Sequence, residues 1–163
     1  APVQVLGTAG RASAELGRLL GKPLQAGVQV RVSSNLVVTP LALVPQPDFD
    51  HLLWSCDLNF VRGEDSLVRA LWAARPQGNA LQAVPFVWQI YPQHDDAHLT
   101  KLAAFLDWMD APASLRTLHS AWNADGPPTG PIGDLDGVGW AACAQQARER
   151  AMAKDDLATQ LLQ

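Results

Sequence analysis

Cys56-Asp57-Leu58-Asn59-Phe60-Val61-Arg62-Gly63-Glu64-Asp65-Ser66 is the stretch whose reading decides the fold. Residues 56–61 read as a short strand. Residues 64–74 read as a helix, with Leu67, Ala70, Leu71 and Ala74 along one side. Only Arg62-Gly63 separates the two elements.

The same alternation continues in both directions. Downstream, residues 86–90 form an aromatic-rich strand. Residues 95–109 form an amphipathic helix with Leu99, Leu102, Leu106 and Met109 as its stripe, ended before Pro112. Residues 114–122 make a second helical piece, and the Gly- and Pro-rich residues 123–136 a loop. Residues 138–162 make a long helix with Trp140, Ala144, Ala147, Ala151, Leu157 and Leu161 facing inward. Upstream, residues 3–6 read as a strand. Ala12, Leu16, Leu19 and Leu20 follow at helical spacing until Gly21 and Pro23. Val28, Val30 and Val32 alternate with polar residues as in a half-buried strand. Residues 36–44 are a continuous apolar run with Pro40 at an edge or bend, and residues 48–54 a short helix. Strands alternating with helices predict an α/β fold: one Rossmann-like parallel sheet flanked by helices, in a single domain over residues 1–163. In such sheets ligands bind beyond the carboxyl ends of the strands. The search for a site therefore centres on residues 45–49, 62–66 and 91–94.

Composition narrows the function. The chain has 163 residues, 48% of them hydrophobic and 17% charged, enough for a core without disulfides. Intrinsic disorder is excluded for the bulk of the chain, and no apolar run approaches a membrane span. No signal peptide is visible at Ala1-Pro2-Val3-Gln4. A net charge of −4 argues against a nucleic-acid surface, though not against a local basic site for one diphosphate. Cys56 and Cys143 stand far apart without a CxxC partner, which fits a reducing, cytoplasmic setting and disfavours zinc. Five of the six tryptophans, Trp54, Trp72, Trp88, Trp108 and Trp140, sit in apolar segments and are expected in the core.

The decisive stretch also carries chemistry. A helix N-terminus offers unpaired N–H groups and a partial positive charge, which suits a phosphate. Gly63 lets the backbone approach a ligand, Arg62 adds a planar fork of donors, and Ser66 can donate to an anionic oxygen. Glu64 and Asp65 can accept from sugar hydroxyls. The same residue types also serve as ordinary caps and dipole partners, so the motif alone is weaker than a lysine-bearing phosphate loop. There is no GxGxxG and no GxxxxGK[ST], so an unrelated dehydrogenase or kinase has no support. His94 and His98 share a spacing that two metal ligands could use, but no third ligand is evident and no metal is expected.

The run from Leu53-Trp54-Ser55 through Ser66 resembles the signature of the EarP family, protein-arginine rhamnosyltransferases that modify elongation factor P. Val44-Pro45-Gln46 with Phe49 upstream, and Pro85-Phe86-Val87-Trp88-Gln89-Ile90-Tyr91-Pro92-Gln93 downstream, extend the likeness. Lys101-Leu102 and Phe105-Leu106-Asp107 continue it more loosely. The resemblance implies a GT-B glycosyltransferase, of which this chain corresponds to the C-terminal, donor-binding half. The partner half would carry a proposed aspartate base and most of the acceptor surface.

Carried over by the resemblance, the thymine of dTDP-β-L-rhamnose lies against Phe49, with Gln46 nearby. Arg62 and the helix start, through Asp65 and Ser66, hold the pyrophosphate, Gly63 is part of the same donor-binding set, and Asn59 belongs to the motif. Glu64 is the acidic residue nearest the sugar; Glu64 and Arg62 are the catalytic candidates. Gln89, Tyr91 and Gln93 are candidates to line the same cleft. The implied reaction is inverting transfer of rhamnose to an arginine of elongation factor P, with no cofactor. This chain alone is expected to bind donor without transferring it. The rival reading is a stand-alone nucleotide-sugar-binding module. Two departures stand out. Leu67 occupies a position where the family often has an aromatic residue, and residues 75–84 are extra, expected as a loop on the far side of the sheet.

Overall fold

The computed structural model describes residues 2–124, 126, 136–155 and 159. Its contacts divide into two compact units, Ala1–Phe49 and Asp50–Gln163.

In the first unit, β1 (Val3–Gly7), α1 (Arg11–Leu19), β2 (Val30–Arg31) and β3 (Leu36–Pro40) build a three-stranded sheet in the order β1-β3-β2. β1 and β3 are parallel, from Val3 opposite Leu36 to Gly7 opposite Pro40. β2 is antiparallel and pairs only Val30 with Val38 and Arg31 with Val37. The expected five-residue strand at 28–32 is therefore cut to two, because residue 28 would face Pro40, which has no N–H to donate. Pro40 also ends β3 early: the apolar run at 36–44 is strand only as far as the proline. Ser13 ties the first turn of α1 to the end of β1 by donating to the Gly7 and Thr8 carbonyls at 3.1 and 2.8 Å.

α2 (Gln46–Ser55) carries the division between the units. The second unit continues with β4 (Asn59–Arg62), α3 (Glu64–Trp72), β5 (Ala74–Gln77), β6 (Ala80–Ala83) and β7 (Phe86–Gln89). A short 3-10 turn, His94–Asp96, leads into α4 (Ala97–Trp108), α5 (Ala113–Asn123) and α6 (Gly137–Met152). β4 and β7 run parallel, with Asn59 opposite Phe86 and Arg62 opposite Gln89. Phe86, Val87 and Trp88 are all buried, as in a strand covered on both faces. Leu102 and Leu106 of α4, Met109 after it, Leu115 and Leu118 of α5, and Trp140, Ala144 and Ala147 of α6 complete this core. Each fully buried Leu or Met side chain contributes roughly 1.5–3 kcal/mol.

The α/β class holds, but the strands pair in three small sheets rather than in one continuous parallel sheet. Residues 75–84, expected as a loop, belong largely to the antiparallel hairpin β5–β6, closed by the two-residue turn Gly78-Asn79. Gly78 takes φ 59, the backbone region such turns demand. Trp88 and Trp140 are buried as expected, whereas Trp54 and Trp72 are 41% and 54% exposed and Trp108 is half-buried. Trp54 lies on a helix that buries only Leu53, and Trp72 is the last residue of α3, where the covered face ends. Leu99 of the expected stripe is also exposed. Of the helix expected over 138–162, residues 137–152 are seen; Leu157, Leu161 and most of the loop at 123–136 lie outside the described residues. No helix among the described residues is long and apolar enough to cross a membrane.

Candidate functional site

The site grows from the junction of β4 and α3. Gly63 takes φ 80 and ψ 170, a conformation that L side chains rarely adopt, and so turns the chain from strand to helix in one residue. Its N–H donates to the Gln89 carbonyl at 3.0 Å, and its carbonyl accepts from Leu67 N–H and Trp88 Nε1 at 3.1 Å each. A Cβ at this position would stand 2.7 Å from Tyr91 Cε2. Strand pairing, an indole clamp and a close aromatic neighbour thus fix the point from which α3 starts. Gly63 has no side chain to cap that start, and beyond the Glu64 N–H, which meets its own carboxylate, the first-turn N–H groups of Asp65 and Ser66 face an anion.

Arg62, the last residue of β4, lays its guanidinium against the Tyr91 ring, 4.8 Å from the centroid. Its Nε is buried and has no hydrogen-bond partner among the described residues. Because Nε is buried, it is the rest of the guanidinium, permanently charged and one residue before the helix start, that can meet an anion. Glu64 and Asp65 are exposed, and Ser66 is half-buried on the first turn of α3. Lys101 Nζ, from α4, donates to Glu64 Oε1 at 2.9 Å. That bond, with the residue's own backbone N–H, holds the Glu64 carboxyl below the usual glutamate range.

Beyond β7, Tyr91 is 49% exposed. Gln89 is half-buried, and Gln93 is exposed with its N–H bonded to His98 Nδ1 at 3.2 Å. Asn59 stands at the opposite end of β4. It is 5% exposed, and its Nδ2 donates to the Leu53 carbonyl at 2.9 Å, which ties the end of α2 to the sheet. The second unit therefore brings together Arg62, Gly63, Glu64, Asp65, Ser66, Gln89 and Tyr91, and leaves Asn59 outside that group. Gln46 and Phe49 belong to the first unit, on the first turn of α2, exposed and half-buried respectively.

Behind the site, α5 closes the free edge of β7 with side chains. Trp88 N–H donates to His119 Nε2 at 3.1 Å. Asn123 Nδ2 donates to the Trp88 carbonyl, and Ile90 N–H donates to Asn123 Oδ1, both at 2.9 Å. His119 and Asn123 are four apart on one helical face and replace the strand that would otherwise pair there. Because Nε2 accepts from an amide, the His119 proton sits on Nδ1, 3.0 Å from the Leu115 carbonyl. Burial pushes the His119 pKa down. Sequence reasoning missed Lys101, His119 and Asn123. The available signal was two polar residues among the apolar Leu115 and Leu118 of α5. Among the described residues no group of three His, Cys, Asp or Glu side chains could hold a metal.

The family profile described as elongation factor P (EF-P) rhamnosyltransferase EarP matches residues 1–163. The chain belongs to the EarP family. A protein-arginine rhamnosyltransferase of Pseudomonas putida is 42% identical over 171 residues, covering 99% of this chain and 42% of the relative. Its Pseudomonas aeruginosa counterpart is 38% identical over 173 residues, with 99% and 43% covered. A solved structure described as the structural basis for EarP-mediated arginine glycosylation of translation elongation factor EF-P superposes with a TM-score of 0.70. It is 36% identical and covers 99% of this chain and 50% of its own. The chain thus spans half or less of the length of these EarP relatives. Its Arg62-Gly63-Glu64-Asp65-Ser66 junction lies within the part that all three share.

Proposed function

We propose that this chain is the donor-binding half of a two-domain, GT-B type arginine rhamnosyltransferase, holding dTDP-β-L-rhamnose for transfer to an arginine of elongation factor P. The observation that carries this reading is the Arg62–Tyr91 pair beside the uncapped start of α3, in a member of the EarP family. Arg62 and the N–H groups of Asp65 and Ser66 take the pyrophosphate. In the transition state they stabilise the charge that builds on the leaving dTDP. Phe49 offers an aromatic face to thymine, with Gln46 one turn before it. Gln89 and Tyr91 line the same end of the sheet, and Gln93 follows them.

Arginine is a poor nucleophile because its guanidinium is protonated in water. A carboxylate must therefore polarise or deprotonate it as the new bond forms. Glu64, paired with Lys101, is the acidic group on the donor side. A base on the acceptor side would come from the companion half, as would most of the surface for elongation factor P. The chemistry needs no cofactor, because positioning and leaving-group stabilisation supply it. The free thiols of Cys56 and Cys143 suit the cytoplasm.

Calorimetric titration with dTDP-rhamnose, dTDP, UDP and NAD tests the proposal. Binding of the two thymidine ligands, with UDP weaker and NAD silent, is the expected result. Equal affinity for NAD, or no binding of dTDP, would defeat it.

A further inference from the structure

We propose that Lys101 is a positioning residue for Glu64, holding the carboxylate at the start of α3 in the orientation from which it serves the transfer. The inference rests on the reading of this site as the donor end of the transferase.

The two groups come from different helices. Glu64 opens α3 and Lys101 lies in the second turn of α4, and their charged atoms meet at 2.9 Å. Both side chains are half exposed, 48% for Lys101 and 47% for Glu64. An ion pair this exposed contributes little to stability. Nor does α4 depend on such a strap, since Leu102 and Leu106 already bury its inner face.

The pair restrains a carboxylate. A glutamate has three side-chain torsions, and apart from Lys101 the Glu64 carboxylate is restrained only by its own backbone N–H. Both ends of the restraint are themselves fixed. Glu64 follows Gly63, whose backbone is held by Gln89 and Trp88. Lys101 lies between His98, which accepts the Gln93 N–H, and the buried Leu102. A carboxylate oriented before the reaction loses less freedom in reaching its productive geometry. The ammonium also favours the ionised form that an interaction with a sugar hydroxyl or a guanidinium requires.

The test uses the full-length gene product, with transfer to elongation factor P followed by mass spectrometry. Five proteins are compared: wild type, Lys101→Met, Lys101→Arg, Glu64→Gln, and the Lys101→Met, Glu64→Gln double variant. Lys101→Met is expected to lower kcat about three- to fivefold, the most that an exposed pair can restrain, while donor KM stays within about twofold, the signature of misplacement rather than lost binding. Its melting temperature should stay within about 2 °C of wild type, as for loss of an exposed pair. Lys101→Arg should recover most of the rate. The double variant should be no slower than Glu64→Gln alone, because Lys101 acts through Glu64. A kcat within twofold of wild type for Lys101→Met, or fully multiplicative losses in the double variant, would overturn the inference and leave the donor assignment standing. A wild-type protein that transfers nothing would remove that assignment, and this inference with it.

Discussion

The Arg62 guanidinium rests on the face of Tyr91, and the same ring occupies the space where a side chain at position 63 would begin. One aromatic residue after β7 thus sets both the direction of the arginine and the tightness of the strand-to-helix turn. Cation and ring attract by about 0.5–2 kcal/mol, depending on desolvation. The contact restrains the guanidinium over the ring.

Arg62→Ala should weaken dTDP binding by about 1.5–3 kcal/mol, the range for hydrogen bonds to charged groups. Tyr91→Ala should lose part of that affinity, and Tyr91→Phe little. Adding Tyr91→Ala to Arg62→Ala should cost almost nothing more, since the ring acts through the arginine. Calorimetry on the four variants checks this; an unchanged Arg62→Ala affinity would remove the pyrophosphate role.

Gly63→Ala should destabilise the fold by about 1–3 kcal/mol, from the positive φ alone. The clash with Tyr91 adds to that cost, so Tyr91→Ala should partly rescue the variant. Urea unfolding of the single and double variants measures it. An unaffected midpoint would mean that the turn relaxes freely.

His119 makes stability depend on pH. It is fully buried, and its folded pKa lies below the ordinary value of about 6.5, so the unfolded chain binds a proton more readily than the native one. Its contribution is therefore complete above about pH 6.5 and is lost as pH falls from there toward the folded value. Unfolding free energies across that range should decline in wild type and decline less in His119→Gln. That substitution should also cost stability at neutral pH, because the Trp88 N–H risks losing its acceptor. Parallel pH profiles for the two proteins would show that other groups carry the acid sensitivity.

Asn59→Ala should lower stability by about 1–3 kcal/mol and leave dTDP affinity within about twofold, because the amide is spent on the buried Leu53 carbonyl. A selective loss of nucleotide binding with normal unfolding would instead return Asn59 to the site.

The β5–β6 hairpin should tolerate change at its tip but not removal. Ala83 and Val84 are buried, Val84 N–H donates to the Ala73 carbonyl, and Gln145 of α6 accepts the Ala83 N–H. Arg75 pairs with Asp57, before β4 begins and so at the end of the strand away from Arg62. Asn79→Gly should leave both the melting temperature and dTDP affinity unaltered, whereas deletion of 76–84 should lower the melting temperature by several degrees, about 4 °C or more. Thermal scans and titration distinguish the two; an equally stable deletion variant would show that the hairpin is an ornament.

The sequence by itself determined the strand–glycine–helix junction at Arg62-Gly63-Glu64, the α/β alternation and most helix positions. These are local properties: a period of two or 3.6 residues, a positive-φ glycine, a proline without an N–H. Which strands pair, and in how many sheets, was decided by the tertiary structure. The hairpin was also written locally, in Gly78-Asn79 between two short runs, but its strands are too short for their periodicity to stand out. Tertiary structure alone decided which apolar residues are covered: periodicity marks a face but not the length over which a neighbour hides it. Trp54 and Trp72 are therefore exposed while Trp88 and Trp140 are not. It alone also decided polar partners far apart in the chain. Asn59 turns to Leu53, Lys101 reaches Glu64, and His119 with Asn123 closes the edge of β7. Each of these is a donor and an acceptor that only the packing of separate elements brings within 3.1 Å, and no spacing along the chain encodes that distance.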